Sequence, residues 1–184
     1  MGQFRIGALV GLMQRLNALG VLVAAGVIGG AMFFEFTQDQ EPCSFCMMIR
    51  FCFTGIAMGA LLNVRWGIRV SHYAVMLFSA LLGIVISFFD VVSSYPPISS
   101  WGSTPFMGMH LPSWGFIAFV AAAALIALML MFQRQFIGQS NSDSAGPLTG
   151  PWSWLGHVAF IVIGLVTAAN IVISTQVCDF NFCG

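Results

Sequence analysis

Five cysteines and one arginine carry the chemical interest of this sequence. Cys43 and Cys46 are separated by two residues, Cys178 and Cys183 by four, and Cys52 stands apart. Two intervening residues allow both sulfurs to come within disulfide reach when one of them sits at a helix start. The partial positive charge of a helix N-terminus stabilises a thiolate there. Pro42 marks the passage from loop to helix, which predicts Cys46 in the first turn. Arg50, four residues on, then shares its face. A guanidinium beside the Cys46 sulfur adds positive potential and can polarise a carbonyl oxygen of an electron acceptor. This is the chemistry of thiol–disulfide exchange. Two alternatives stay open, a purely structural disulfide and a zinc site, the latter requiring all four paired cysteines to converge because closed zinc sites take four ligands.

Cys178 and Cys183 have enough chain between them for a disulfide if the tail turns. They form either a structural clip or a shuttle disulfide, which a substrate thiolate would attack before the pair passed its electrons to Cys43–Cys46. Exchange runs through mixed disulfides, so the two pairs would have to meet. Cys52 falls inside an apolar run, where a cysteine behaves as a small packing residue.

The elements that must position these groups are membrane spans. Of 184 residues, 59% are hydrophobic and 7% charged, and the mean hydropathy is +0.93. A soluble domain devotes about a quarter of its residues to charge, so this surface suits lipid rather than water. Six arginines balance six acids and there is no lysine, which leaves no basic field for nucleic acid. A spanning helix needs roughly 20 mostly apolar residues. Five stretches qualify: Asn17–Phe34, Cys46–Val64, Val70–Phe89, Trp114–Phe132 and Trp154–Thr175. The first is too long, and lacks the small-residue cleavage site, to read as a cleavable signal.

Arginines set the expected orientation. Arg5 and Arg15 precede span one, Arg65 and Arg69 join spans two and three, and Arg134 follows span four. These segments are assigned to the cytoplasm. The opposite side receives the 35–45 loop with Glu35, Asp39 and Glu41, the 90–113 loop with Asp90, and the tail. Both cysteine pairs then face outward, where disulfides persist. Arg50 breaks the charge pattern, about one turn into span two; it is either functional or an arginine snorkelling to the headgroups.

Gly26-xxx-Gly30 in span one and Ala121–Ala124 in span four predict close helix packing. The Pro-, Tyr- and Trp-containing outer loop Asp90–Ser113 reads as a cap on the bilayer surface. The Ser/Gly/Asn-rich segment Gln135–Pro151 reads as a flexible inner loop. Met107, Met109 and His110 could suit Cu(I), but interface packing explains them better, and no metal is expected. His72 and His157 read as interfacial or hydrogen-bonded. Asp90 either aids proton release or simply ends span three, the second reading being preferred.

Two segments carry a family resemblance. Gln40-Glu41-Pro42-Cys43-Ser44-Phe45-Cys46-Met47-Met48-Ile49-Arg50 resembles the first outer-loop motif of the bacterial disulfide bond formation protein B (DsbB) family, Pro-Cys-x-x-Cys followed four residues on by arginine. Phe106-Met107-Gly108-Met109-His110-Leu111-Pro112-Ser113-Trp114 resembles that family's passage into its fourth span. The resemblance covers about residues 10 to 133. It implies an all-α integral membrane fold, a four-helix transmembrane bundle, here followed by a fifth transmembrane helix. It also implies a thiol:quinone oxidoreductase of the bacterial inner membrane. Such a protein oxidises a periplasmic thiol-oxidoreductase or other dithiol protein and passes the electrons to ubiquinone or menaquinone. On this carry-over Cys43 and Cys46 form the quinone-coupled disulfide, with Cys46 and Arg50 beside the quinone.

The chain also departs from the family. Its second cysteine pair belongs between spans three and four, and residues 90–113 hold no cysteine. Span five instead delivers Cys178 and Cys183 to the same face. Asp90 stands near the place where the family's histidine is sought. The expected organisation is a four-helix domain over 1–133, a cytoplasmic loop over 134–153, and a fifth helix with a periplasmic tail over 154–184. The alternative is a non-catalytic accessory subunit that uses its fifth span to contact a larger membrane complex.

Overall fold

The computed structural model describes residues 2–38, 44–93, 111–132 and 153–178. Five helices make up these segments: α1 (Gly2–Gln38), α2 (Ser44–Trp66), α3 (Val70–Ser93), α4 (Leu111–Met131) and α5 (Ser153–Cys178). Each is long and apolar enough to cross a membrane. Large apolar side chains such as Phe33, Phe78, Phe160 and Leu165 lie exposed on the outside of the bundle, as a lipid-facing surface requires. The all-α membrane architecture expected from the sequence is the one observed. Residues 94–110 of the cap loop, the inner loop, Cys43 and Cys183 lie outside the described residues.

The first span differs from expectation. It begins far ahead of Asn17, because α1 starts at Gly2 and runs to Gln38. No proline interrupts the sequence before Pro42, and the polar residues near its start are ordinary helix formers. Hydropathy therefore marks the lipid-crossing part, not the helix. Two acids placed in loops are likewise helical: Glu35 lies in the last turns of α1 and Asp90 lies within α3.

The helices are fastened at the end opposite Cys46 by a buried polar network. Asn63 Nδ2 donates to Asn17 Oδ1 (3.1 Å), and Asn17 Nδ2 donates to the Tyr73 hydroxyl (3.0 Å) and the Met13 carbonyl (2.8 Å). Asn63 Oδ1 accepts from the Arg69 backbone N–H (3.2 Å) and lies 3.1 Å from His72 Nδ1. One asparagine thus closes the α2–α3 turn, where Gly67 adopts a φ of 85° that side-chain-bearing residues rarely take. His72 is hydrogen-bonded, as expected. Interhelical amide bonds of this kind act as glue where lipid offers no hydrophobic force between helices.

Small residues pack the bundle, but not the expected ones. Gly26 and Gly30 have open space where a Cβ would stand, so the Gly-xxx-Gly pair is no contact face. Ala18, Ala24 and Ala25 bury α1 instead. The close approaches occur at Gly59, where a Cβ would lie 2.8 Å from the His72 carbonyl oxygen, and at Gly83, which the Phe119 ring covers. Phe119 also stacks on Phe53 at 4.1 Å between ring centroids, locking α2, α3 and α4 together. In α4, Ala122 and Ala123 pack against the core while Ala121 and Ala124 are exposed. α5 packs on α1 and α2, burying Ala159 and Ile163.

Candidate functional site

At the other end of the bundle α1 and α4 have little direct contact, and a cavity of about 410 Å³ opens between them. α1 contributes Val27, Ile28, Gly30, Ala31, Phe34 and Glu35, one stripe of its surface at helical spacing. α2 contributes Cys46, Ile49, Arg50 and Phe53, again one face. Asp90 of α3 and Pro112, Trp114, Gly115 and Ala118 of α4 complete the lining. The walls are mainly apolar, with Glu35, Arg50 and Asp90 as their charged residues.

Ser44 opens α2, so Cys46 occupies its first turn, as the sequence predicts. Its sulfur is in a disulfide. Arg50 stands one turn deeper. It does not snorkel: only 2% of it is exposed. Its Nη2 is ion-paired with Glu35 on α1, and its Nη1 donates to Asn170 Oδ1 on α5 at 3.2 Å. Its Nε is buried and has no hydrogen-bond partner among the described residues. An unmatched donor in such a place is costly, so this nitrogen is suited to an acceptor atom brought by a ligand.

The structure therefore brings Cys46, Arg50 and Asp90 to one cavity. It adds two residues that sequence alone does not single out: Glu35, which lines the cavity and pairs with Arg50, and Asn170, which bonds to Arg50 from outside the lining. Asp90 is 4% exposed and lines the cavity. The helical spacing of Phe34 and Glu35 after Val27, Ile28 and Ala31 was the available signal for Glu35. Cys178 closes α5. Because Asn170 meets Arg50, that helix terminus lies at the Cys46 end of the bundle. Cys52 is buried and free, consistent with packing. The Met107, Met109 and His110 cluster lies outside the described residues, and His157 is exposed.

Comparison with known proteins finds similarity to one family. The model of the family described as disulfide bond formation protein DsbB matches residues 13–101. A disulfide bond formation protein B of Burkholderia pseudomallei is 27% identical, aligned over 66% of this chain and 91% of its own. That of Pseudomonas syringae pv. tomato is 24% identical over 66% of this chain and 92% of its own. That of Cupriavidus necator is 32% identical over 46% of this chain and 53% of its own. No solved structure matches the chain. The chain is thus similar to the DsbB family over residues 13–101, and its five long apolar helices make it a multi-pass membrane protein.

Proposed function

We propose that this protein is a thiol:quinone oxidoreductase that makes disulfides in a periplasmic dithiol protein. The observation that carries the reading is Arg50, which lines an apolar cavity together with Cys46 and has a buried Nε with no hydrogen-bond partner among the described residues. The cavity lies within the roughly 300–1,000 Å³ of small-molecule sites. Val27, Ile28, Phe34, Ile49, Phe53 and Trp114 would hold an apolar ring, and Arg50 would meet a carbonyl oxygen. The chemistry supplied by a bound quinone is acceptance of two electrons and two protons.

In this reading Cys43 and Cys46 form the disulfide that is renewed at the cavity. Arg50 stabilises negative charge on the Cys46 sulfur or on the acceptor oxygen. Glu35 offsets the charge of Arg50, which keeps the low-dielectric site from holding an isolated cation. A substrate thiolate attacks the Cys178–Cys183 disulfide, and a second substrate thiol resolves the mixed disulfide and leaves two cysteine thiols. Those thiols reduce Cys43–Cys46 by the same exchange. The arginine distribution supports an inner-membrane orientation with the N-terminus cytoplasmic and both cysteine pairs periplasmic. No finding favours the accessory-subunit alternative.

The test is alkylation trapping of cysteine redox states in native membranes with quinone supplied and then withheld. The expected result is that Cys43 and Cys46 accumulate as thiols without quinone and reoxidise when it returns. Cys178→Ser should abolish substrate oxidation while the first pair still responds to quinone. Two pairs indifferent to quinone would end the oxidoreductase reading.

A further inference from the structure

Arg50 is held from two sides, and one of them is a helix beyond the family match, which ends at residue 101. Asn170 sits in the apolar run Val166-Thr-Ala-Ala-Asn-Ile-Val172. Its neighbours Ile171 and Val172 are about half exposed, on the lipid side, whereas Asn170 itself is 2% exposed. It reaches across 120 positions of sequence to accept from Arg50 Nη1 at 3.2 Å. Asn170 does not line the cavity. It bonds to Arg50, which does.

We infer that α5 completes the site, with Asn170 acting as a positioning residue that fixes the Arg50 guanidinium so that its Nε serves the cavity. The inference rests on the quinone-coupled reading above. A guanidinium is a planar fork whose donors move together. With Nη2 engaged by Glu35 on α1 and Nη1 by Asn170 on α5, its rotation about the side-chain axis is arrested. Without the second anchor the fork can turn about its contact with Glu35, and Nε loses its fixed place. The polar group also lies where α5 approaches α2, so it recruits the fifth helix to the reaction end rather than to a distant face. A bond to a charged donor in a dry site is among the stronger neutral-to-ionic contacts. The fifth span is then a working wall of the site, not an appendage.

The experiment compares full-length wild type with Asn170→Leu, which keeps shape but removes the acceptor, and Asn170→Gln, which keeps the amide. Decylubiquinone is titrated by quenching of tryptophan fluorescence for a Kd. Steady-state assays then give separate KM values for quinone and for the dithiol substrate. Asn170→Leu should weaken the decylubiquinone Kd and raise the quinone KM about tenfold, a change equivalent to about 1.4 kcal/mol, with the dithiol KM unmoved. Asn170→Gln should stay within about threefold of wild type. If Asn170→Leu does not accumulate in membranes, Asn170→Ser, too short to reach Arg50, takes its place in the comparison. Wild-type quinone binding in the leucine or serine variant overturns the positioning role, as does an equal loss in the glutamine variant or an equal rise in the dithiol KM. A wild-type protein that neither binds decylubiquinone nor is reoxidised by it overturns the quinone-coupled reading itself, and this inference with it.

Discussion

Cys46→Ser is expected to bring quinone-coupled thiol oxidation down to background, a loss of roughly 10³-fold or more, the scale seen when one member of a cooperating nucleophilic unit is removed. The reason is structural as well as chemical. Cys46 lies in the first turn of α2 and lines the cavity, and serine at that position can form no disulfide. Cys43 should then be found as a free thiol in alkylation trapping, whether or not quinone is present. Cys52→Ser is the control. It alters a buried cysteine that takes no part in a disulfide, so activity should persist. Retained activity in Cys46→Ser would move the chemistry to another pair.

The second large effect concerns stability. Glu35→Leu removes the carboxylate paired with Arg50 and leaves a guanidinium with a side-chain exposure of 3%. Removing one partner of a buried ion pair costs about 3–5 kcal/mol, because the other charge stays buried and uncompensated. Arg50→Leu should cost less, since Glu35 is 17% exposed and can take up water or a proton. The double variant Glu35→Leu/Arg50→Leu should recover most of the loss while remaining inactive. Thermal midpoints of the four purified proteins in one detergent provide the ranking. A Glu35→Leu protein as stable as wild type would mean that the ion pair does not hold α1 to α2.

Much of this architecture is legible in the sequence, and the boundary of what is legible has a physical cause. Hydropathy over a span-length window locates each lipid-crossing segment, so all five spans and their alternation can be read directly. Local spacing also suffices for Cys46 and Arg50, because four residues along a helix return to the same face. Contacts between helices are a different matter. Periodicity says that Glu35 shares a stripe with Val27 and Ala31, but not which helix that stripe meets. Asn170 gives even less away, since an amide in an apolar span reads equally well as glue at any interface. The glycines mislead for the same reason. Gly26 and Gly30 have the spacing of a contact motif, whereas the approach occurs at Gly59 and Gly83, which depend on the placement of Met76 and Phe119.

Those unused glycines have a consequence for the thermodynamics of α1. At Gly20, Gly26, Gly29 and Gly30 a Cβ would meet nothing within 4 Å, so alanine fits at each. Exchanging glycine for alanine inside a helix gains up to about 1 kcal/mol in intrinsic propensity. The helix therefore carries an undrawn reserve of stability. Of these four, Gly30 alone lines the cavity. At Gly20, Gly26 and Gly29 the reserve can be tapped without touching the cavity, but at Gly30 each added carbon narrows the space beside Arg50, and firmness of the helix is set directly against room for what it holds.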